Sequence, residues 1–247
     1  MVTMENIPRN SQPRERCSKL ALLRNHSLFR ALPPPAIERL ASYMQPRKVA
    51  RGGLIFAKGD ADTGLMGILA GSVMIGVASA SGRAMALNII HPGEIFGEIS
   101  LLDGHPRTTD ATAMSDCDLV VFERRDFIPF LRSEPQLGLR FIEILCARLR
   151  RTSQQVQDMT FLDLPTRLAK TLLLLTAAAI EAPAAKGHVA ITQHEISQII
   201  GQSRESTNRQ LRAWAKHGWI RLHRGGVSLL QLEKLAEVAA EGLKCGP

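Results

Sequence analysis

The hydrophobic positions in the first half of the chain occur in short runs that are interrupted by turn residues. Between Leu28 and Ile128, turns are indicated by Gly52-Gly53, Lys58-Gly59-Asp60, Gly71-Ser72, Ser81-Gly82 and His91-Pro92-Gly93. Apolar runs this short, separated by turn signals this frequent, are typical of strands rather than helices. We therefore expect a small β-sandwich or β-roll in this part of the chain.

A different spacing begins at Ile142, where apolar or small side chains recur at alternating steps of three and four residues. The positions are Ile142, Leu145, Leu149, Thr152, Val156 and Met159. This is the spacing of a short coiled-coil seam. It predicts a dimerisation helix, or alternatively a helix face that packs on the β-rich segment.

The helical pattern is interrupted at Phe161–Pro165. Asp163 is a suitable N-cap for a new helix, and Pro165 is tolerated in a first helical turn. We expect this helix to run from about Pro165 to Ile180, and we place a domain boundary at the interruption.

The last part of the chain has the pattern of two short helices followed by a hairpin. Thr192 and Glu195 have the spacing of a capping box, and Gly201 stands where a left-handed residue ends the first helix. Ser203 can cap the second helix. Alternating segments around Gly225-Gly226 then predict a β-hairpin. This order of elements predicts a winged helix-turn-helix, which binds DNA through the major groove.

The second of these helices has two different faces. Thr207, Leu211 and Trp214 have helical spacing and are predicted to pack inward. The opposite face carries Arg204, Glu205, Asn208, Arg209 and Arg212. Arginine side chains match O6 and N7 of guanine, and a carboxylate accepts a hydrogen bond from N4 of cytosine. This face therefore predicts base reading, with an ordinary solvated helix face as the alternative.

A second group of candidate residues lies in Phe96–Thr109. Arg107 supplies a permanent charge and a planar fork for a phosphate, and Thr108 adds a hydroxyl donor. Backbone N–H groups around Gly97 are accessible because glycine has no side chain, and Glu98 can accept from a ribose hydroxyl. These residues suit a cyclic phosphate and a ribose. The alternative is a β-roll that binds another effector or none.

These motifs together resemble the cyclic-AMP receptor protein (CAP)/Fnr family of transcription regulators. Ile191–Ile196 and Ser203–Arg209 are similar to its DNA-recognition unit, and Phe96–Thr109 is similar to the phosphate-binding cassette of cyclic-nucleotide-binding domains. Arg150–Ser153 lies where the family's long helix carries adjacent Thr and Ser. The resemblance extends from about Leu28 to Leu230. It implies an α+β chain with an N-terminal cyclic-nucleotide-binding β-roll, a long dimerisation helix and a C-terminal winged helix-turn-helix.

The resemblance also implies the roles of individual residues. The ligand-binding residues would be Gly97, Glu98, Ile99, Arg107, Thr108, Thr152 and Ser153. The DNA-binding residues would include Arg204, Glu205 and Arg209, which read a TGTGA-like half-site, and Asn208 beside them. Thr192 and Ser203 would contact backbone phosphates. The implied effector is cyclic AMP. Cyclic GMP stays open, because Thr108 stands where the bacterial receptor has Ser and where cyclic-GMP-binding kinase domains have Thr.

The expected organisation is an N-terminal tail over 1–27, a β-roll over 28–133, a dimerisation helix over 134–160 and a winged helix-turn-helix over 161–247. The tail is polar and Arg-rich, so we expect it to be poorly ordered or to form a loosely docked helix. The expected partners are double-stranded DNA, a cyclic nucleotide, a second copy of the chain and RNA polymerase.

Composition narrows the remaining classes of function. A formal net charge of +8 over 247 residues favours a polyanionic partner. The four cysteines are scattered, which suggests neither a metal site nor a disulfide framework. No secretory signal or membrane span is indicated, so we expect a cytoplasmic protein.

Enzyme motifs such as a P-loop, a Rossmann fingerprint or a Ser-His-acid order do not appear, so we do not expect an enzyme. Two rivals remain, which are a ligand-independent regulator of the same fold and a cyclic-nucleotide-binding module that docks on an enzyme. The base-reading face argues against the second rival.

Overall fold

The computed structural model of the chain describes residues 19–24, 26, 28–78, 84–179 and 187–244. Expectations about residues 1–18, the turn at Ser81-Gly82 and the helix end at Ile180 lie outside these residues. The chain divides into two compact units, the first containing residues 1–75 and 89–147 and the second containing residues 76–88 and 148–247.

Among the described residues between Gln45 and Phe122, eight strands form two four-stranded sheets, with the orders β1-β8-β3-β6 and β2-β7-β4-β5. Their bounds are β1 Gln45–Val49, β2 Leu54–Phe56, β3 Leu65–Ala70, β4 Val73–Ala78, β5 Ala84–Ile90, β6 Ile95–Phe96, β7 Asp110–Ala113 and β8 Cys117–Phe122. Strand β8 is antiparallel to both β1 and β3. The predicted β-roll is confirmed.

These strands are accompanied by the helices α1 Pro34–Tyr43, α2 Glu98–Asp103 and α3 Arg124–Ser133. The expectation of a β-rich segment missed all three helices. Each is short and has few buried apolar residues, namely Ala36, Ile37 and Leu40 in α1, Leu101 in α2, and Phe127 and Phe130 in α3. A pattern of this length is too brief to separate a helix from a strand by periodicity.

The first unit has two apolar clusters. One joins α1, α3 and the strands through tilted and edge-to-face contacts among the rings of Phe29, Phe122, Phe127 and Phe141. Leu22 and Leu23, in the helical segment 19–24, also lie in this cluster. The other cluster contains Phe56 and Phe96, whose ring centroids are 5.9 Å apart. This second cluster supports the segment that precedes Gly97.

A long helix, α4 (Gln136–Phe161), is followed after two residues by α5 (Leu164–Ala179). Oδ1 of Asp163 accepts the N–H of Thr166 at 2.9 Å, which confirms the predicted N-cap. Along α4, the side chains of Ile142, Leu149 and Val156 are 57%, 67% and 59% exposed. The chain itself therefore does not cover the predicted seam at these positions.

The remaining elements belong to the second unit. They are β9 His188–Val189, α6 Gln193–Ile199, α7 Arg204–Lys216, β10 Ile220–His223, β11 Gly226–Leu229 and α8 Leu232–Lys244, with the sheet order β10-β11-β9. Helix α8 packs on α5, where Leu235 is fully buried and Oγ1 of Thr166 donates to the carbonyl of Val238. None of the helices in the described ranges is long and apolar enough to cross a membrane.

Candidate functional site

A short helix with glycine at both ends forms the centre of the first candidate site. Strand β6 ends at Phe96, Gly97 adopts φ 83°, and α2 begins at Glu98. Gly104 ends this helix at φ 75°, and its N–H donates to the carbonyl of Ser100. Left-handed backbone is unfavourable for residues with a Cβ, so glycine is favoured at both ends of this short helix.

The space beside Gly97 is filled by the guanidinium of Arg107. A Cβ on Gly97 would lie 2.5 Å from Nη1 of Arg107 and 2.9 Å from the carbonyl oxygen of Gly64. Nη1 also donates to the carbonyl oxygen of Gly97 at 3.0 Å. Gly97 and Arg107, which the sequence analysis proposed separately as ligand-binding residues, are therefore in direct contact. A side chain at position 97 would displace the guanidinium of Arg107.

Arg107 is buried and held from several directions. Nη2 donates to Oδ2 of Asp62 and to the carbonyl oxygen of Gly64, both at 2.7 Å, and Cζ lies 4.2 Å from the centroid of the Phe56 ring. The backbone N–H of Arg107 donates to the carbonyl of Asp60 at 2.8 Å. The guanidinium therefore has a fixed position beside the α2 turn.

Nε of Arg107 is buried and has no hydrogen-bond partner. Leaving a buried guanidinium N–H without an acceptor is unfavourable. An acceptor group that reaches this nitrogen would relieve the penalty, and a phosphate oxygen has the right chemistry. The donor set at Arg107 therefore fits an anionic ligand.

Asp62 is the carboxylate in contact with Arg107. Burial raises the pKa of Asp62, but hydrogen bonds from Arg107 and from the N–H of Gly64, together with the charges of Arg107 and Arg47, outweigh burial. The pKa of Asp62 consequently lies below its ordinary value of 3.8. The carboxylate is ionised at neutral pH and neutralises the guanidinium that it contacts.

The other predicted ligand residues differ in exposure. Glu98 is buried, with 3% of its surface exposed, whereas Ile99 is 43% exposed and Thr108 is also exposed. Thr152 and Ser153 are exposed residues of α4 in the second unit. The structure thus brings Gly97 and Arg107 into contact within the first unit, while the two hydroxyls of the long helix belong to the other unit.

The helix-turn-helix has the local structure that its sequence predicted. Oγ1 of Thr192 accepts the N–H of Glu195 at 3.1 Å, and the Glu195 carboxylate accepts the N–H of Thr192 at 2.6 Å, which completes the capping box. Gly201 adopts φ 64°. Oγ of Ser203 accepts the N–H of Ser206 at 3.1 Å and caps α7. All three predictions are confirmed.

Helix α7 separates an inner face from an outer face. Thr207, Leu211 and Trp214 are buried, as predicted. The outer face exposes Arg204, Glu205, Arg209 and Arg212, while Asn208 is half-buried with a buried Oδ1 that has no hydrogen-bond partner. An exposed acid among exposed arginines on one helix face can serve as a base-reading surface.

The predicted wing is confirmed as the hairpin of β10 and β11, which pairs Ile220 with Leu229 and His223 with Gly226. Ser228 Oγ lies 3.1 Å from Nδ1 of His188 and 2.9 Å from Nε2 of His223. In the described part of the chain, no group of three or more His, Cys, Asp or Glu side chains could hold a metal.

Three residues that contact the Arg107 guanidinium were missed by sequence reasoning, namely Phe56, Asp62 and Gly64. The available signal was the turn at Lys58-Gly59-Asp60, which was interpreted only as a turn. That turn is bonded to the Arg107 backbone, because the N–H of Gly59 donates to the carbonyl of Arg107 at 2.7 Å. A hydrogen bond between two segments this far apart in the chain is non-local and cannot be inferred from residue spacing.

Two family models match separate parts of the chain. Residues 46–134 match the model of the cyclic nucleotide-binding domain, and residues 166–238 match the model of the Crp-like helix-turn-helix domain. The fold and the two matching domain models thus define a cyclic-nucleotide-binding transcription regulator with a DNA-binding helix-turn-helix domain, not an enzyme.

Curated relatives match over nearly their whole length. The chain is 35% identical over 220 residues to the CRP-like cAMP-activated global transcriptional regulator of Mycobacterium tuberculosis, covering 88% of this chain and 98% of that protein. It is 31% identical over 217 residues to the cyclic AMP receptor protein of Thermus thermophilus, covering 88% and 98%. The chain therefore belongs to the CAP/Fnr family of CRP-like transcription regulators.

Solved structures show the same fold. A transcriptional regulator of the CRP family from Thermus thermophilus aligns with a TM-score of 0.67 at 25% identity, covering 78% of this chain and 96% of that one. The c-di-GMP responsive global regulator CLP of Xanthomonas campestris aligns with a TM-score of 0.70 at 22% identity, covering 80% and 99%. The second likeness concerns the fold alone.

Proposed function

We propose that the chain is activated by cyclic AMP and that, as a homodimer, it binds a TGTGA-like pseudopalindrome. The observation that carries the proposal is the contact between Arg107 and Gly97, with a buried Nε–H of Arg107 still available to an acceptor. Two relatives are described as cAMP-activated or as a cyclic AMP receptor, which supports the choice of cyclic AMP.

The anchoring role of Arg107 can be tested with one substitution. Arg107→Leu removes the charge and the donors that we assign to the phosphate. We expect cyclic-nucleotide affinity to fall by at least ~2–3 kcal/mol, the scale of an unpaired charged hydrogen-bond partner. The matched control is Arg125→Leu, which removes an arginine that is 79% exposed in α3. Equal affinities for both variants in a calorimetric titration would disprove the assignment.

The choice of base depends on hydroxyl groups. Thr152 and Ser153 suit the exocyclic amine of adenine, and Thr108 suits the 2-amino group of guanine. Hydroxyls both donate and accept, so neither set excludes the other base. We expect both nucleotides to bind and cyclic AMP to activate more strongly, because activation depends on a contact at Ser153 in addition to affinity.

The homodimer is supported by the exposed row on α4. Ile142, Leu149 and Val156 are large apolar side chains, each more than half exposed, and they share the seam spacing of a coiled coil. Leu149→Glu should convert the protein to a monomer in analytical ultracentrifugation. Gln157→Glu, an exposed position on the same helix outside the row, should leave the dimer intact.

DNA recognition is assigned to the outer face of α7. Arg204, Glu205 and Arg209 are exposed there and have the chemistry to read base edges, with Asn208 beside them. Thr192 and Ser203 lie at the starts of the two helices and would contact phosphates through hydroxyl groups. A dimer bound in this way near a promoter would act through RNA polymerase.

The experiment that tests the whole proposal measures operator affinity with no ligand, with cyclic AMP and with cyclic GMP. We expect tight binding only with nucleotide, and tighter binding with cyclic AMP. Equal affinity in all three conditions would identify a ligand-independent regulator of the same fold. An increase in operator affinity with cyclic GMP alone would identify cyclic GMP, and not cyclic AMP, as the effector. Absence of specific DNA binding in every condition would favour a regulatory module that docks on an enzyme.

A further inference from the structure

The carboxylate of Asp62 forms an ion pair with the guanidinium that we assign to the phosphate. Its Oδ2 is 2.7 Å from Nη2 of Arg107, and the guanidinium side chain is 1% exposed while the Asp62 side chain is 45% exposed. The other carboxylate oxygen, Oδ1, accepts the N–H of Gly64 at 2.9 Å. Asp62 is therefore fixed by two bonds beside the guanidinium and still faces solvent.

We infer that Asp62 is a specificity-determining residue, which lets the site accept a phosphate with one negative charge and makes it reject a phosphate with two. A cyclic nucleotide carries a phosphodiester with a single charge, whereas a 5′-nucleotide carries a monoester with a charge of roughly −1.5 to −2 at pH 7. This selectivity rests on the proposed function, because it presumes that the phosphate binds beside Arg107.

The charges at the site explain the selectivity. The ion pair makes Arg107 and Asp62 neutral together, so an incoming anion meets N–H donors but no uncompensated charge from Arg107. A second negative charge on the ligand is then repelled by Asp62 without a matching attraction. Glu98 is a further carboxyl group at the same turn and is buried. The positive charge of Arg47 also lowers the pKa of Asp62. Its guanidinium is held by a hydrogen bond from Nη2 to the carbonyl oxygen of Ile55 at 2.8 Å.

The contacts of Arg107 distinguish the effect of the Asp62 charge from a purely structural role in holding the guanidinium in place. Gly64 and Gly97 hold the guanidinium through their carbonyl oxygens, and the Phe56 ring lies against it. None of these three contacts involves the carboxylate of Asp62, so we expect them to remain when its charge is removed. The position of Arg107 is therefore maintained largely by other groups, while the neutralising charge comes from Asp62.

The test measures the affinities of cyclic AMP and 5′-AMP at pH 7.5 by calorimetry, for wild type and three variants. Asp62→Asn removes the charge at nearly constant shape, and Asp62→Glu keeps the charge but moves it. Asp60→Asn is the control, because it removes a charge from the same loop whose carboxylate accepts the N–H of Ala57 and not a hydrogen bond from Arg107.

We expect Asp62→Asn to lower the preference for cyclic AMP over 5′-AMP by ~10-fold or more, the effect of one nearby charge. The other two variants should keep the wild-type preference within ~3-fold.

A second measurement needs no variant. The methyl ester of 5′-AMP has the same nucleoside as 5′-AMP but a single negative charge, so wild type should bind it at least ~10-fold more tightly than 5′-AMP. Equal affinity for these two ligands, or an unchanged preference in Asp62→Asn, would overturn the role of Asp62. Wild type that binds no cyclic nucleotide would instead overturn the proposed function, so the two failures are distinguishable.

Discussion

Lys170 and Asp158 form an ion pair across the interruption between the two consecutive helices α4 and α5. Nζ of Lys170 lies 2.6 Å from Oδ2 and 2.7 Å from Oδ1 of Asp158, and Nε2 of Gln154 donates to the same carboxylate at 2.9 Å. The two charged side chains are 27% and 19% exposed. The end of the long helix is thereby connected to the first helix of the DNA-binding segment by a partly shielded contact.

The ion pair should stabilise the second unit by an amount that a double-mutant cycle can measure. We expect Asp158→Asn and Lys170→Gln each to lower the free energy of unfolding by ~1 kcal/mol, and the double variant to lose much less than the sum. Both tryptophans, Trp214 and Trp219, belong to this unit, so urea unfolding followed by tryptophan fluorescence reports on it.

The control for this cycle is the exposed pair Lys234–Glu237 on α8, whose side chains are 50% and 59% exposed. Removing that pair should change stability by less than ~0.5 kcal/mol. Additive effects at Asp158 and Lys170 would show that the contact across the interruption contributes no coupling.

A methyl group at position 97 should weaken nucleotide binding through its effect on Arg107. Gly97→Ala introduces a Cβ that lies 2.5 Å from Nη1 of Arg107, so the guanidinium must move. We expect cyclic-AMP affinity to fall by ~2 kcal/mol or more, measured by calorimetry.

Gly93→Ala is the matched control for Gly97→Ala. Gly93 has φ 88° and no heavy atom within 4 Å of its hypothetical Cβ, so the control has similar backbone strain, about 1–2 kcal/mol, without the displaced arginine. Equal loss of nucleotide affinity in both variants would mean that backbone strain, not the Arg107 contact, explains the effect.

Acid should weaken the first unit partly through Asp62. The pKa of Asp62 is lower in the folded protein than its ordinary value of 3.8, so its stabilising contribution is present above that value. The contribution is lost as the pH falls through the lower folded-state pKa. Hydrogen exchange of peptides that cover β2 and β7, measured from pH 5 downward, should show a smaller acid-induced loss of protection in Asp62→Asn than in wild type. Parallel curves for the two proteins would contradict this expectation.

Glu205 should decide the preference at one base pair of the operator. Glu205→Ala removes an exposed acceptor on α7 and should relax discrimination there by ~1–3 kcal/mol, with non-specific affinity nearly unchanged. The charge-matched control is Glu233→Ala, an exposed acid on α8. Selection of preferred sites from a random DNA pool should return the wild-type site for the control. The same site and the same discrimination for Glu205→Ala would refute the base-reading role.

Thr192 should contribute to both stability and DNA affinity. Thr192→Ala removes the acceptor for the N–H of Glu195 and should destabilise the second unit by ~1 kcal/mol. It should also weaken binding to all DNA sequences alike, as expected for a phosphate contact. Thr192→Ser retains the hydroxyl and should restore both properties. Failure of this serine variant to restore DNA affinity would argue against a hydroxyl–phosphate contact.

The sequence by itself determined the features that depend on neighbouring residues. The capping box of Thr192 and Glu195, the left-handed Gly201 and the N-cap at Asp163 were predicted and are confirmed. The inward face of α7 and the hairpin wing were also predicted and are confirmed. All of these follow from backbone preferences and side-chain spacing within a few residues, which the sequence displays directly.

Only the tertiary structure decided the contacts between distant positions. Asp62 and Arg107 are 45 residues apart in the chain, and no local pattern pairs them. Asp158 and Lys170 are closer in sequence, but their contact depends on how the chain turns after Phe161. The short helices α1 and α3 were missed because their stability comes from packing around Phe29 and Phe127 rather than from periodicity. Burial and non-local pairing depend on the packing of all elements together, and the linear pattern of residues does not contain that information.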